Sequence, residues 1–160
     1  MMQHYTVYHN PDTYAAFPSL ALDADGIAYC VFRLAPTRRS KTHIDTRSVT
    51  VLYRSKDKGE TWEKVSEVKI APYTGNQDPS LAILGDGTFL LNCYGWTTKK
   101  QKHTKKPGKT RVLGAFIFES ENKGKTWTHP QVVPAWVSRI QMATSESIIE
   151  TDYRLMMAGY

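Results

Sequence analysis

Short apolar runs that alternate with polar positions recur along the whole chain, and most of them end at a turn signal. Alternation with a period of two predicts β-strands, and no helical spacing of apolar residues continues long enough to compete with it. A first short strand is predicted over residues 5–8. Four further strands are predicted over residues 18–22, 27–32, 48–53 and 62–70. The chain is therefore predicted to be all-β.

The second part of the chain repeats this pattern. Its strands are predicted over residues 79–84, 89–93, 112–118 and 128–133. Pro79 follows Pro18 by 61 residues, and the Asp-Gly turn that joins the first two strands recurs at the same distance. A third repeat begins near Ser147 and reaches the end of the sequence inside its second predicted strand. Internal repeats of this length are typical of proteins built from stacked units.

The third strand of each full unit leads into the same kind of turn. Residues 55–62 read Ser-Lys-Asp-Lys-Gly-Glu-Thr-Trp, and residues 120–127 read Ser-Glu-Asn-Lys-Gly-Lys-Thr-Trp. Ser, Asp and Asn favour local hydrogen bonds to the backbone, and Gly supplies the positive φ that tight turns need. We call these segments the first and second repeat turns, and we interpret each as a hairpin turn followed by a tryptophan anchor.

Units of about 60 residues with four antiparallel strands are predicted to be propeller blades, partial or assembled. The predicted organisation is a single propeller region over 1–160, with blades at about 14–70 and about 74–134 and the start of a third at about 137–160. Propellers close with about 4–8 blades. The sequence is therefore expected to be part of a longer protein or to assemble through its open blade edges, and an open stack resembling a β-sandwich is the alternative.

The S-x-D-x-G-x-T-W pattern of the repeat turns resembles the Asp box, or BNR repeat, of the sialidase (neuraminidase) superfamily of β-propellers. The resemblance covers about residues 14–160. It implies a sialidase-like glycoside hydrolase that acts on the ends of glycans, or a portion of one. The alternative is a non-catalytic propeller that binds glycan or protein, because a fold does not fix a function.

Loops of an up-and-down blade alternate between its two ends, so residues 14–17, 33–47, 71–78 and 97–110 are expected to share one end. The repeat turns lie at the other end. Binding residues are commonly carried on loops of a rigid scaffold. We therefore expect the functional site at the end remote from the repeat turns.

The resemblance assigns roles to two residues near the first of these loops. Arg33 corresponds to an arginine that lines the sugar pocket, and Asp45 corresponds to the general acid/base. A carboxyl group near the leaving oxygen can supply the proton that glycosidic cleavage needs. The alternative for Asp45 is a structural one, in which it caps a turn or pairs with Arg47. Basic neighbours, Arg47 among them, would lower the pKa of Asp45.

Two further residues belong to the second unit. Asp78, in an Asp-Pro pair, corresponds to an aspartate that contacts a substituent of the sugar, although Asp before Pro also commonly fixes a turn. Trp96 corresponds to aromatic residues that line the pocket, and its alternative is packing in the rim of the strand. Arg139 could bind an anion or lie in solvent. Arg38 and Arg39 are less well placed than Arg33.

One position departs from the family pattern. Ala16 stands where sialidases have an arginine that clamps the substrate carboxylate, and a methyl group cannot replace a bidentate guanidinium. The tyrosine nucleophile, its glutamate partner and the other two clamp arginines lie in later blades of the family. We therefore expect this sequence alone not to cleave sialosides.

Charge and residue composition indicate which classes of binding partner the sequence favours. The net charge is +6, and much of the excess lies in a lysine-rich loop over residues 99–109 that contains no acidic residue. No aromatic residue is interleaved there, which argues against single-stranded nucleic acid as a partner. No apolar run is long enough for a membrane helix. The five histidines and two cysteines lack the spacing of a metal site, so neither a metal nor a cofactor is predicted.

Cys30 and Cys93 lie in apolar strands and are predicted to be core residues. No signal peptide is predicted from the first residues of this sequence. The localisation stays open: secreted or periplasmic if a leader was trimmed, and otherwise cytoplasmic.

Overall fold

The computed structural model describes residues 3–36, 45–98, 110–134, 143–144 and 146–159. The secondary-structure elements in these ranges are all β-strands, as the alternating pattern predicted. The strands are β1 (Tyr14–Leu22), β2 (Ala28–Ala35), β3 (Val49–Ser55), β4 (Glu63–Val68), β5 (Gly75–Ile83), β6 (Phe89–Thr98), β7 (Thr110–Ser120), β8 (Gln131–Val132), β9 (Ile149–Thr151) and β10 (Arg154–Met156).

The strands form sheets that follow the order of the chain. One antiparallel sheet has the order β1-β2-β3-β4, a second has the order β5-β6-β7-β8, and β9 pairs with β10. We call these the first blade, the second blade and the third hairpin. The protein thus has the fold of β-propeller blades, each a four-stranded antiparallel meander.

The predicted strand over residues 5–8 is wrong, because no strand precedes β1 in the described chain. An isolated strand leaves its backbone groups without partners. Instead, Val7 and Tyr8 pack on a face of the first blade. The ring of Tyr8 lies 5.5 Å from that of Phe32 and 6.0 Å from that of Tyr53.

The first strand of each blade begins earlier than the apolar pattern predicted. Both strands contain a register shift, after Ala16 in β1 and after Gln77 in β5. The residue that follows each shift has a positive φ, 57° at Phe17 and 43° at Asp78. A bulge of this kind lets a strand pass through the proline that comes next.

The largest cluster of buried side chains lies between the two blades. Tyr29, Val31 and Leu52 of the first blade meet residues such as Leu81 and Phe89 of the second. The rings of Tyr29 and Phe89 pack edge to face with centroids 4.8 Å apart. A smaller cluster, formed by Ala82, Leu90 and Ile148, joins the second blade to the third hairpin. Blades therefore stack face to face through apolar residues at alternate strand positions.

Both cysteines are buried and unpaired, as predicted for core residues. Cys30 belongs to the cluster on the face of the first blade away from the second, and Cys93 belongs to the cluster between the blades. Burial raises the pKa of Cys30 to about 11 and that of Cys93 to about 12. Thiols in such surroundings are poor nucleophiles.

Candidate functional site

The candidate site lies at the end of the blades remote from the repeat turns and is centred on Arg33. Arg33 was predicted to lie where the second strand ends and the following loop begins, but the residue lies inside β2. It pairs in register with Ala16 of β1 and Thr50 of β3. Its side chain is fully buried. The three strands β1, β2 and β3 of the first blade thus position Arg33.

The guanidinium of Arg33 has no hydrogen-bond acceptor for its Nε, Nη1 or Nη2 atom within the described residues. The ring of Tyr14 faces it, with the centroid 5.6 Å from Cζ. Burial lowers the pKa of Arg33, and the nearby charges of Asp45 and Asp78 oppose that effect. Buried polar groups are normally satisfied, and a buried charge without a partner is costly. The site therefore presents donors that an acceptor-rich ligand could satisfy.

Asp45 forms a tight pair with Arg47, and its side chain is only 8% exposed. Arg47 donates from Nε to Oδ1 at 3.0 Å and from Nη2 to Oδ2 at 2.9 Å. The backbone N–H of Arg47 also donates to Oδ1, at 2.9 Å. Burial raises the pKa of Asp45, but these hydrogen bonds and the charge of Arg47 outweigh it and hold the pKa below the ordinary 3.8. Asp45 is therefore an ionised carboxylate in this conformation, which suits an acceptor or a base rather than a proton donor.

Asp78 lies at the bulge of β5. The side chain of Gln77 donates to its Oδ1 at 3.0 Å. Asp78 also lines a cavity of about 350 Å³ where the first strands of the two blades approach the segment before the third hairpin. The other lining residues are Phe17, Pro18, Ser19, Pro79, Ser80, Glu146 and Ser147. Asp78 thus lies at a strand bulge rather than in a turn, beside an open cavity.

Trp96 is buried, with 2% of its surface exposed. It pairs with Gly75 across the sheet. A Cβ atom at Gly75 would lie 3.1 Å from the Trp96 ring and 2.5 Å from the backbone oxygen of Asp45. Gly75 therefore lets the Asp45 turn lie against the indole. The indole N–H has no acceptor in the described residues.

The structure thus brings Arg33 within electrostatic reach of both Asp45 and Asp78, and it places Trp96 next to Gly75, which the backbone oxygen of Asp45 approaches. Three neighbours were missed as candidates: Tyr14, Gln77 and Tyr94. The ring of Tyr14 faces Arg33, Tyr94 lies within electrostatic reach of it, and the side chain of Gln77 donates to Asp78. The repeat could have indicated Gln77, because it follows Ala16 by 61 residues. Tyr14 had no comparable signal in the sequence.

Several residues discussed from the sequence lie outside the described residues. They are Arg38, Arg39, His43, Arg139 and the lysine-rich loop over 99–109. In the described ranges, no group of three or more His, Cys, Asp or Glu residues could hold a metal ion. Among the residues that the structure describes, there is no helix with the length and apolarity needed to span a membrane.

No family model matches this sequence, and no curated protein matches it either. Solved structures do resemble it. A crystal structure of a protein of unknown function from Dyadobacter fermentans DSM 18053 is 30% identical, with a TM-score of 0.77, and the match covers 92% of this chain and 46% of the other.

An α-L-arabinanase from Penicillium chrysogenum, complexed with arabinobiose, is 18% identical with a TM-score of 0.59. That match covers 88% of this chain and 39% of the arabinanase. A Hadza microbial sialidase is 12% identical with a TM-score of 0.40, over 74% of this chain and 33% of the sialidase. The chain spans less than half the length of each of these proteins. The likeness to the arabinanase supports the propeller fold.

Proposed function

We propose that this chain forms part of a glycan-binding site of the glycoside hydrolase type, in which Arg33 binds a carboxylate or another acceptor-rich group of a sugar. The observation that carries the proposal is the fully buried guanidinium without an acceptor in the described chain. Arginine binds carboxylates through paired, charge-assisted hydrogen bonds. Asp78 at the neighbouring cavity supplies an acceptor for sugar hydroxyls. The similarity of fold to an arabinanase supports the glycan as ligand class by analogy.

A catalytic role for Asp45 would start from the ionised form of its carboxyl group. The clamp by Arg47 disfavours the protonated form, so Asp45 would begin as a base or an electrostatic group. To donate a proton, it must first lose at least one of these hydrogen bonds. If the complete protein is a hydrolase, ligand binding is expected to draw Arg47 away from Asp45.

The second candidate is a non-catalytic propeller that binds a glycan. Two observations favour it: the Asp45–Arg47 pair, and the methyl group of Ala16 beside Arg33. Both candidate functions involve the same class of ligand, and they differ only in whether the bound glycan is cleaved.

Binding is tested first, by substituting Arg33. Arg33→Met keeps the length of the side chain but removes the charge, and replacing a buried charge by an apolar group is often neutral or stabilising. We expect Arg33→Met to keep the thermal stability and to weaken binding of sialic acid or glucuronate by about tenfold or more, measured by titration calorimetry. Arg54→Met is the control, because Arg54 pairs with Glu63 on β4. Equal affinities in wild type and Arg33→Met would contradict the proposal.

Turnover separates the two candidates. The full-length protein and its Asp45→Asn variant are incubated with fluorogenic glycosides, and the release of the fluorophore is followed. A hydrolase predicts activity that Asp45→Asn lowers by about 10²-fold or more. A non-catalytic propeller predicts binding without release in both proteins. Equal activity in both proteins would contradict the role of Asp45.

A further inference from the structure

An aromatic residue stands in the turn that connects the first blade to the second. The turn spans residues 71–74 and reads Ala-Pro-Tyr-Thr. The backbone N–H of Thr74 donates to the carbonyl oxygen of Ala71 at 3.3 Å. The ring of Pro72 fixes its φ at about −65°, and Tyr73 has a φ of 61°. Proline followed by a residue with positive φ is the arrangement of a type II turn.

Tyrosine is an unexpected residue at this position. The third residue of a type II turn is normally glycine or asparagine, because a Cβ atom is disfavoured where φ is positive. Tyr73 is 85% exposed, so packing compensates little for that cost. Single exposed apolar residues are common and need no function to explain them. An exposed aromatic ring on a strained backbone is different, because such strain occurs preferentially at ligand-binding sites.

The rest of the turn is held in place by the second blade. The hydroxyl of Thr97 on β6 donates to the carbonyl oxygen of Tyr73 at 3.0 Å. Thr74 is buried, and its Cγ2 atom would lie 3.3 Å from a Cβ atom at Gly95 of β6. A tyrosine side chain has only two rotatable torsions, so a ring on a fixed turn loses little entropy when a ligand binds.

Tyr73 also lies beside the candidate site. Gly75 follows it by two residues, so their Cα atoms are at most about 7 Å apart. A Cβ atom at Gly75 would lie 2.5 Å from the backbone oxygen of Asp45, which acts electrostatically on Arg33. Both blades that flank the turn belong to the described chain, and the turn lies at their end rather than on a face where blades stack. The ring therefore extends into solvent at the rim of the candidate site.

We propose that Tyr73 forms a second sugar subsite, in which its ring stacks on a pyranose residue linked to the sugar that Arg33 binds. This inference rests on the proposed function. A pyranose carries C–H groups on its face and hydroxyls around its edge, and the electron-rich face of an aromatic ring attracts the polarised C–H groups. The phenol can also exchange a hydrogen bond with a hydroxyl of the same sugar. The ligand is thus an acidic oligosaccharide rather than a free acidic monosaccharide.

Titration calorimetry with two pairs of ligands tests the subsite. The pairs are glucuronate with glucuronosyl-xylose, and sialic acid with sialyllactose. In each pair the larger ligand adds only neutral sugar. The wild type is expected to bind the larger ligand about fivefold or more tightly. Tyr73→Gly should remove this gain and leave the affinity for the monosaccharide unchanged. Because glycine favours positive φ, its melting temperature should not fall.

Two further variants serve as controls. Tyr73→Phe keeps the ring, so its affinities should stay within about twofold of the wild type. Tyr153→Gly removes a tyrosine that is 92% exposed on the turn of the third hairpin, and it should leave all affinities unchanged. Equal wild-type affinities for both members of each pair would overturn the subsite. So would a loss in Tyr73→Gly that is equal for the monosaccharide and the larger ligand.

Arg33→Met separates this inference from the proposed function. If Arg33→Met weakens binding of the monosaccharides and Tyr73→Gly changes nothing, the subsite is wrong and the role of Arg33 stands. If Tyr73→Gly removes the gain of the larger ligands and Arg33→Met has no effect, the stacking at Tyr73 stands and the role of Arg33 is wrong. A protein that binds none of the four ligands would overturn both.

Discussion

At the scale of single residues, Asp57 and Asn122 close the two repeat turns with the same hydrogen bond, although one side chain is a carboxylate and the other an amide. Asp57 Oδ1 accepts the backbone N–H of Thr61 at 2.9 Å, and Asn122 Oδ1 accepts that of Thr126 at 2.9 Å. The amide of Asn122 then donates to the Thr126 hydroxyl at 2.7 Å, whereas the Thr61 hydroxyl donates to Asp57. Both turns are closed, so a carboxylate is not required at this position.

The two turns should nevertheless respond differently to acid. Hydrogen bonds from the Thr61 hydroxyl, the Thr61 backbone and Ser55 lower the pKa of Asp57 to about 2. A folded-state pKa below the unfolded one contributes stability that is present above the unfolded value and is lost as the pH falls through the folded one. We expect Asp57→Asn to reduce the fall in melting temperature between pH 4 and about pH 2. Thermal melts followed by circular dichroism at each pH measure this change.

The reciprocal variant is the control for this prediction. Asn122→Asp introduces a titrating group in the second repeat turn, and it should steepen the same acid-dependent fall. Identical pH profiles for the wild type and both variants would show that these bonds do not persist in solution.

The candidate site shows how far single residues could be predicted. Arg33, Asp45 and Asp78 were selected from the sequence, and the alternation of blade loops placed them at one end. The full burial of Arg33 was not predicted, because it depends on β2 continuing to Ala35 and on neighbouring strands that cover it. The clamp on Asp45 was left open as an alternative, since a sequence does not show which neighbour reaches a carboxylate.

At the scale of the elements, the two repeat turns differ in what surrounds their glycines. Gly59 and Gly124 both have positive φ, 95° and 77°. A Cβ atom at Gly59 would come no closer than 3.9 Å to another residue, the side chain of Trp62. A Cβ atom at Gly124 would lie 2.1 Å from Cδ2 of Leu52, in the buried core of the first blade.

Alanine substitutions should therefore have unequal costs. Gly59→Ala is expected to lower the free energy of unfolding by about 1–2 kcal/mol, because only the left-handed backbone is penalised. Gly124→Ala adds overpacking against Leu52, for a total of about 2–5 kcal/mol. Urea unfolding of the two variants measures the difference. Equal losses would mean that the second repeat turn does not pack on the first blade as described.

The positions where strands begin and end were the feature of the fold that the sequence predicted least well. The alternating pattern gave β2, β3, β4 and β7 approximately, but β6 continues five residues beyond its predicted end, and β1 and β5 begin several residues before their apolar runs. The bulges at Phe17 and Asp78 interrupt the alternation, so the pattern did not predict the strand residues that precede them. The segment over 5–8 alternates correctly and still forms no strand, because pairing needs a free sheet edge in the right place.

At the scale of the whole molecule, buried polar side chains tie the blades together. Asn76 of β5 donates from its amide to the backbone oxygen of Val68 at 3.1 Å and to the hydroxyl of Thr50 at 3.2 Å. Its Oδ1 accepts the backbone N–H of Ile70 at 3.2 Å. Asn76 is fully buried, so water cannot replace these bonds. One side chain of the second blade thus satisfies three groups that belong to the first blade or directly follow it.

Removing Asn76 should uncouple the blades. We expect Asn76→Ala to lower the free energy of unfolding by about 2–4 kcal/mol, because buried polar groups of the first blade lose their partner. The exposed Gln131→Ala on β8 is the control and should change stability by less than about 0.5 kcal/mol. Chemical denaturation of both variants gives the comparison. A loss in Asn76→Ala no larger than in the control would contradict this role.

The sequence by itself determined the strand-rich fold, the repeat of about 60 residues and the position of the repeat turns. These features are local or periodic, and local chemistry fixes them: alternation selects strands, and Ser, Asp and Gly select turns. The tertiary structure alone decided which faces are covered. Leu20 and Leu81 stand at equivalent repeat positions, yet the first is exposed and the second is buried. Arg33 likewise became a buried cation without a described acceptor only when neighbouring strands closed around it, because burial depends on what packs against a residue rather than on the residue itself.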